Sequence, residues 1–499
     1  MIQGTLNLVL GDIGNIIATS FIVLATSVIY VCKCQLSPEE AAAEDEASQT
    51  QPEHTGTVAV DHETESSQEV VPLPALEQVP PTIDLKEARV EEEPVQQELT
   101  PPARPRLYFL DTLKIFLTFI VLEHHIACAF GGCGEGSWFL IIGEYSNPFQ
   151  YVARSFATMN QAYFMPLFFF VSAYFTPSSY QRRTKAEFLD KHKVRVYIPA
   201  MVATFTVVPV CCMIGQFMAG ITIVYLPRSG HCWFLLWLLI FNWAYCCIGD
   251  RLKKRNHEEG EAPDRPTSTP FPRLQKRLFY GFLVCGLLMF AVVVALGGGG
   301  SFFTMPITIG SLMCDIVFFA AGTQAKANNW LAPENLRSKL ECSIWYQRAL
   351  VLVEGGLMLF LLFMAEEEME VLYIPMFLVA GVYCIDMSLV LLDFFQINVN
   401  YRNAFIGALA DAAYGVYILH PLVITGATAA FLKIYNNLHQ DNPLQFEDES
   451  VVSKTQLQGP GDGSLHLLAG FLILSVVCNL VCWPLAWWIR QLPGFRRSL

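Results

Sequence analysis

The chain has 499 residues, 53% of them hydrophobic and only 15% charged, a balance that excludes a soluble globular protein of this length. The formal net charge of −13 misleads, because residues 36–100 hold seventeen acidic side chains against two basic ones, Lys86 and Arg89. Outside that segment the chain is close to neutral, so charge excludes nothing there.

In chain order, residues 1–35 are expected to form an N-terminal transmembrane anchor, since "IGNIIATSFIVLATSVIYVC" (13–32) is long and apolar enough to span a bilayer. It lacks the basic start of a cleaved signal peptide, and its nearby cation, Lys33, follows the span. That order favours an extreme N-terminus outside. Cys32 and Cys34 sit at its membrane edge, where acylation and an ordinary structural role both fit. Residues 36–104, rich in Pro, Gln and Glu, read as an acidic disordered cytosolic tether. Ten further spans are expected between residues 105 and 490: 107–130, 156–176, 197–219, 231–249, 278–297, 302–324, 345–364, 371–393, 403–432 and 465–489. The fold expected is all-α, a polytopic integral membrane protein with a ten-helix core and a short tail over 491–499.

Cation placement predicts the orientation. Arg104 and Arg106 precede the first core span, Arg182 to Arg195 fill the second loop, Arg251 to Arg277 the fourth, and Arg490, Arg496 and Arg497 close the chain. The alternate loops hold only Arg154, Arg228, Lys433 and Lys454. Both core termini are therefore expected in the cytosol.

Most of the fifteen cysteines lie inside spans and act as small apolar residues. Cys133 and Cys232 fall near the outer face, where a bridge between them would survive. No CxxC, HExxH or zinc spacing occurs, so no metal ligand is assigned, and Gly297 to Gly300 lacks the Lys and Ser/Thr of a phosphate loop.

The first core span contains "KIFLTFIVLEHH" (114–125). Eleven residues make three helical turns plus about 20°, so Lys114 and His125 share a face about 16 Å apart along the axis. Asp111 and Thr118 continue that stripe, His124 lies about 100° off it, and Glu123 is nearly opposite Lys114. Ionisable side chains in lipid are costly and often functional. A snorkelling lysine and a loop-satisfying histidine are the plainer readings. His231 and Trp233 begin the fourth core span at the end expected to carry His125; the histidine suits acceptor binding or support of a base, and the tryptophan suits an interfacial belt as well. In the ninth span Asp411, Tyr414, Tyr417 and His420 recur every three residues. Pro421 has no N–H for the carbonyl of Tyr417, which opens a polar point in that helix. Helix–helix hydrogen bonding explains the stripe equally. Asp315, Glu354 and Asp386 also fall within spans, as in a transporter, although no repeated half is visible.

Taken together, "LDTLKIFLTFIVLEHH", "NQAYFMPLFFFVSAYF" (160–175), "FLDKHKVRVYIPA" (188–200), "GHCWFLLWLLIF" (230–241) and "YGVYILHPL" (414–422) resemble the type 3 membrane acyltransferase family. In that family the first helix carries a basic residue, ten residues, then His. The family usually has Arg where this chain has Lys114, and Gly where it has Ala173. The resemblance implies transfer of an acetyl or other short acyl group from cytosolic acyl-CoA to a hydroxyl of a carbohydrate, lipid or small-molecule acceptor, with no bound cofactor and no nucleic-acid partner. On that reading His125 is the base and Lys114 holds the donor or stabilises developing charge. His231, Trp233, Tyr417 and His420 are expected to bind substrate. Arg195, in the basic stretch from Lys191, would attract CoA phosphates, although topology explains these loop cations equally well. A transporter or an inactive scaffold with the same fold are the alternatives.

Overall fold

A computed structural model describes residues 107–133, 138–142, 148–258, 271–273, 276–277, 280–281, 300–302, 305–307, 309–332, 336–340, 343–367, 372–440, 444–446, 453–457 and 464–492. The expected anchor, the tether and the span at 278–297, apart from residues 280–281, lie outside the described residues, as does the tail beyond residue 492. The other nine expected spans all coincide with helices.

The first, α1, runs Tyr108–Ala129 and starts where the side chain of Asn400 accepts from the backbone N–H of Phe109 at 3.1 Å. It ends in a glycine cap: the N–H of Gly132 reaches the carbonyl of Ala127 at 2.9 Å and that of Gly131 reaches Cys128 at 3.1 Å. Gly131 makes this turn at φ +88°, a backbone conformation open chiefly to glycine. Beyond the cap, β1 (Leu140–Ile142) leads to α2 (Pro148–Gln181), which carries Pro166 and Pro177 in its interior.

The third expected span is a bent run. It comprises α3 (Lys185–His192), a π-helical turn at Lys193–Tyr197, α4 (Ile198–Phe205) and α5 (Val207–Met218), with the break at Thr206. A capping box starts α3: Thr184 Oγ1 accepts from the N–H of Glu187 at 3.3 Å, and Glu187 accepts from the N–H of Thr184 at 2.7 Å. A 3-10 turn, Gly230–Cys232, opens α6 (Trp233–Glu258). The span expected at 302–324 starts later, because Gly300–Phe302 (β2) and Met305–Ile307 (β3) pair as an antiparallel hairpin and the helix α7 occupies Ile309–Ala327. The short α8 (Leu336–Lys339), α9 (Ile344–Glu367), α10 (Tyr373–Asn398), α11 (Ala404–Leu438) and α12 (Ser464–Gln491) complete the bundle. Between the last two helices, β4 (Leu444–Phe446) and β5 (Ser453–Leu457) pair antiparallel, and β5 takes β1 in parallel, Leu140 opposite Ser453.

Among the described residues, seven helical runs are long and apolar enough to cross a membrane. Burial is distributed as a bilayer protein requires. Large apolar side chains such as Leu352 and Phe360 on α9, and Leu472, Val476 and Leu480 on α12, face outward. Inside, α1 is the shared wall of two cores. One gathers α1 with α2, α6 and α10 around Phe109, Leu113, Phe169 and Tyr383; the other gathers its C-terminal half with α11 and α12 around Ile126, Val416 and Cys478. Helix α7 approaches α2 closely. Gly322 permits it, since a Cβ there would collide with the Phe170 carbonyl and lie 2.8 Å from Cβ of Ala173. Buried polar groups clasp the bundle elsewhere. Ser475 and Asn479 of α12 donate to the Glu123 carboxylate at 2.6 and 2.7 Å, and Arg337 grips Asp393 with two 2.9 Å bonds.

Candidate active site

The four polar residues at threefold spacing on α11 each tie it to a different element. Asp411 pairs with Arg490 of α12 at 2.9 Å. The hydroxyl of Tyr414 donates to the carbonyl of Arg195 at 2.7 Å, in the π-helical turn. That of Tyr417 donates to the carbonyl of His231, and His420 meets His125 of α1. The stripe is thus both the interhelical glue and the framework of a site.

At its centre, His420 Nε2 lies 3.0 Å from His125 Nδ1, and His420 Nδ1 lies 2.8 Å from the carbonyl of Tyr417. Local sequence explains the second contact. Pro421 has no N–H, so the Tyr417 carbonyl, four residues earlier, lacks its helical partner and takes the imidazole instead. The bond assigns the protons by chemistry. A carbonyl only accepts, so His420 Nδ1 carries the hydrogen and its Nε2 holds a lone pair. That lone pair accepts from His125 Nδ1–H, which leaves His125 Nε2 unprotonated. His420 is fully buried, whereas His125 keeps partial exposure. The free nitrogen therefore belongs to the more accessible ring.

Aromatic rings enclose this pair. His231 packs edge-on against His420 with centroids 5.1 Å apart, and His124 stands edge-on to His125 at 5.2 Å. Trp138 stacks on His125 at 4.6 Å and 25°, and its buried Nε1 has no hydrogen-bond partner. The sequence reading missed Trp138. It lies in the connection between α1 and α2, and only the β1–β5 pairing downstream marks where that segment settles.

Of the expected site residues, His125, His231, Tyr417 and His420 converge. Lys114 does not join them: at the other end of α1 its ammonium pairs with Asp111 at 3.0 Å and lies 5.2 Å from the Phe175 ring centroid. Beside it, Tyr108, Asp111, Tyr401 and Arg402 line a shallow cleft. Arg195 connects to the stripe through its backbone carbonyl, with its side chain exposed. Trp233 packs against the apolar core one residue beyond the 3-10 turn. The question of a Cys133–Cys232 bridge, left open by the sequence, is answered: Cys133 is bonded to Cys128, and Cys232 is free beside His231, its Sγ 3.4 Å from Nε2. The glycine cap folds Cys133 back over the last turn of α1, with its Cα 4.7 Å from that of Cys128.

The sequence model of the family described as an acyltransferase domain, the acyltransferase 3 group, matches residues 107–487, and the chain belongs to that family. No curated protein and no solved structure matches it. The protein is a multi-pass membrane acyltransferase.

Proposed function

We propose that this acyltransferase moves a short acyl group, such as acetyl, from acyl-CoA to a hydroxyl of a carbohydrate, lipid or small-molecule acceptor, with His125 as the general base. The observation that carries the reading is the tautomer order from the Tyr417 carbonyl through His420 to His125, which leaves His125 Nε2 free to take a proton. As the acceptor oxygen attacks the thioester carbonyl, its proton passes to His125 Nε2. The carbon–sulfur bond breaks and the CoA thiolate departs, taking a proton from the imidazolium or from water. Lys114, about 16 Å along the axis of α1 from His125, and Arg402, which lines the cleft beside Asp111, suit the phosphates of the donor. The pantetheine arm of CoA is long enough to cover that distance. With the cation bias of the loops, the donor end faces the cytosol, and His125 and residues 433–464 face the lumen or exterior.

Isotope-labelled acyl-CoA supplied to proteoliposomes tests the chemistry, with acceptor products identified by mass spectrometry. Label must appear covalently on an acceptor hydroxyl. Movement of intact solute without acyl transfer would support a transporter, and neither outcome would point to a scaffold. Cysteine accessibility tests the orientation, and labelling of residues 433–464 from the cytosolic face would invert it.

A further inference from the structure

Proton transfer at His125 uses none of the neighbouring cluster of His124, Cys128 and Cys133, although its chemistry is distinctive. His124 is 5% exposed, and its Nε2 faces Cys133 Sγ at 3.6 Å. The Nε2 and both sulfurs lie within 4.8 Å of one another. A tetrahedral zinc ion with Zn–S near ~2.3 Å and Zn–N near ~2.0–2.1 Å holds neighbouring ligand atoms about 3.5 Å apart. The His124–Cys133 separation already has that value. In the disulfide form the two sulfurs are bonded to each other and leave no room for an ion between them.

Backbone geometry shows what reduction would change. Cys133 is held over the end of α1 by the glycine cap, through the bonds of Gly131 and Gly132 to Cys128 and Ala127. Those bonds do not depend on the sulfur–sulfur link. Breaking it therefore frees two side-chain rotations while leaving both thiols beside His124.

We propose that the Cys128–Cys133 disulfide is the closed state of a zinc site, and that on reduction His124 Nε2 and the two thiolates bind one Zn2+. In the first step two thiol molecules reduce the protein disulfide to two cysteine thiols and become a disulfide themselves, so two electrons and two protons are transferred. In the second, Zn2+ replaces the two thiol protons, which are released to solvent. Two thiolates and an imidazole match the borderline-soft zinc ion and disfavour Mg2+ or Ca2+, which take oxygen ligands. With three protein ligands the fourth position stays open to water or an exogenous ligand.

The test uses the full-length protein in detergent, reduced with a non-chelating phosphine or left oxidised, incubated with Zn2+ and desalted. Metal analysis is expected to find about one zinc per reduced chain and almost none per oxidised chain. The Cys128→Ser/Cys133→Ser double variant should lose that zinc, whereas Cys232→Ser should keep it. Cobalt substitution should give the visible bands of a tetrahedral thiolate site in the reduced wild type. Should the double variant fail to fold, maleimide labelling of the reduced wild type decides, because zinc must protect Cys128 and Cys133 more than the free cysteines. A reduced protein without zinc, equal zinc in both redox states, or equal labelling of all cysteines overturns the proposal. None of these readouts involves acyl transfer.

Discussion

Replacing His420 separates a positioning role from a substrate-binding one. His420→Leu removes the acceptor of the 3.0 Å bond from His125 Nδ1–H and the donor to the Tyr417 carbonyl, while filling similar space in a fully buried position. Leaving the buried Tyr417 carbonyl without its partner costs about 1–3 kcal/mol of stability. The loss that acts on rate is orientation: a free imidazole can rotate and exchange tautomers, and on the scale known for partners that fix metal-bound histidines this corresponds to about 10–100-fold. That corresponds to about 1.4–2.7 kcal/mol in the activation barrier. The expectation is a fall of that size in kcat, with KM for acyl-CoA nearly unchanged, measured by CoA release in proteoliposomes at matched protein amounts. His420→Gln should recover much of the rate. Its amide NH2 can donate to the Tyr417 carbonyl while its oxygen accepts from His125. If the leucine variant keeps the wild-type kcat, or glutamine is no better than leucine, the tautomer argument is wrong.

His125→Ala should reduce transfer by about 100- to 10,000-fold without loss of folded protein, and His124→Ala should do less, since its ring is not on the free nitrogen; transfer by well-folded His125→Ala would remove that residue as the base. Lys114→Arg should retain or improve activity, whereas Lys114→Leu should weaken donor use; if leucine is tolerated, Lys114 only snorkels beside Phe175. Gly322→Val should destabilise the bundle by about 1–3 kcal/mol or prevent folding, because α7 would be pushed from the Phe170 carbonyl, and an unchanged thermal midpoint would contradict that packing. Arg337→Ala should cost about 1–3 kcal/mol, because among the described cations the fully buried Asp393 then keeps Arg348 at 4.0 Å, and thermal unfolding in detergent reads the loss.

How legible the site was depended on how far its parts lie from local rules. The shared face of Lys114 and His125 follows from helical period alone, and the α11 stripe from its threefold spacing. What no spacing gives is the partner of each stripe residue, because α1, the π-helical turn, the 3-10 turn and α12 reach α11 only through the packed bundle. Trp138 stayed hidden for the same reason. Its neighbours on the chain carry no period, and its position is set by a parallel pairing with residues more than three hundred positions away. The cysteines show the opposite case. Compartment reasoning left the pairing of Cys133 and Cys232 open, while a local signal, two glycines after an apolar helix, specified the turn that brings Cys133 back to Cys128.

Pro421 joins these scales. In most helix interiors a proline is a defect, since it removes a donor and orphans the carbonyl one turn earlier. In a bilayer that orphan is especially costly, because no water is present to satisfy it. Here the orphan is the Tyr417 carbonyl, and the residue before the proline, His420, supplies the missing N–H from its side chain. The satisfied defect fixes one imidazole's tautomer, which fixes the next, and α11 remains continuous through Leu438. Two adjacent letters, His420 and Pro421, therefore determine on another helix, 295 residues away, which nitrogen of His125 is free to act.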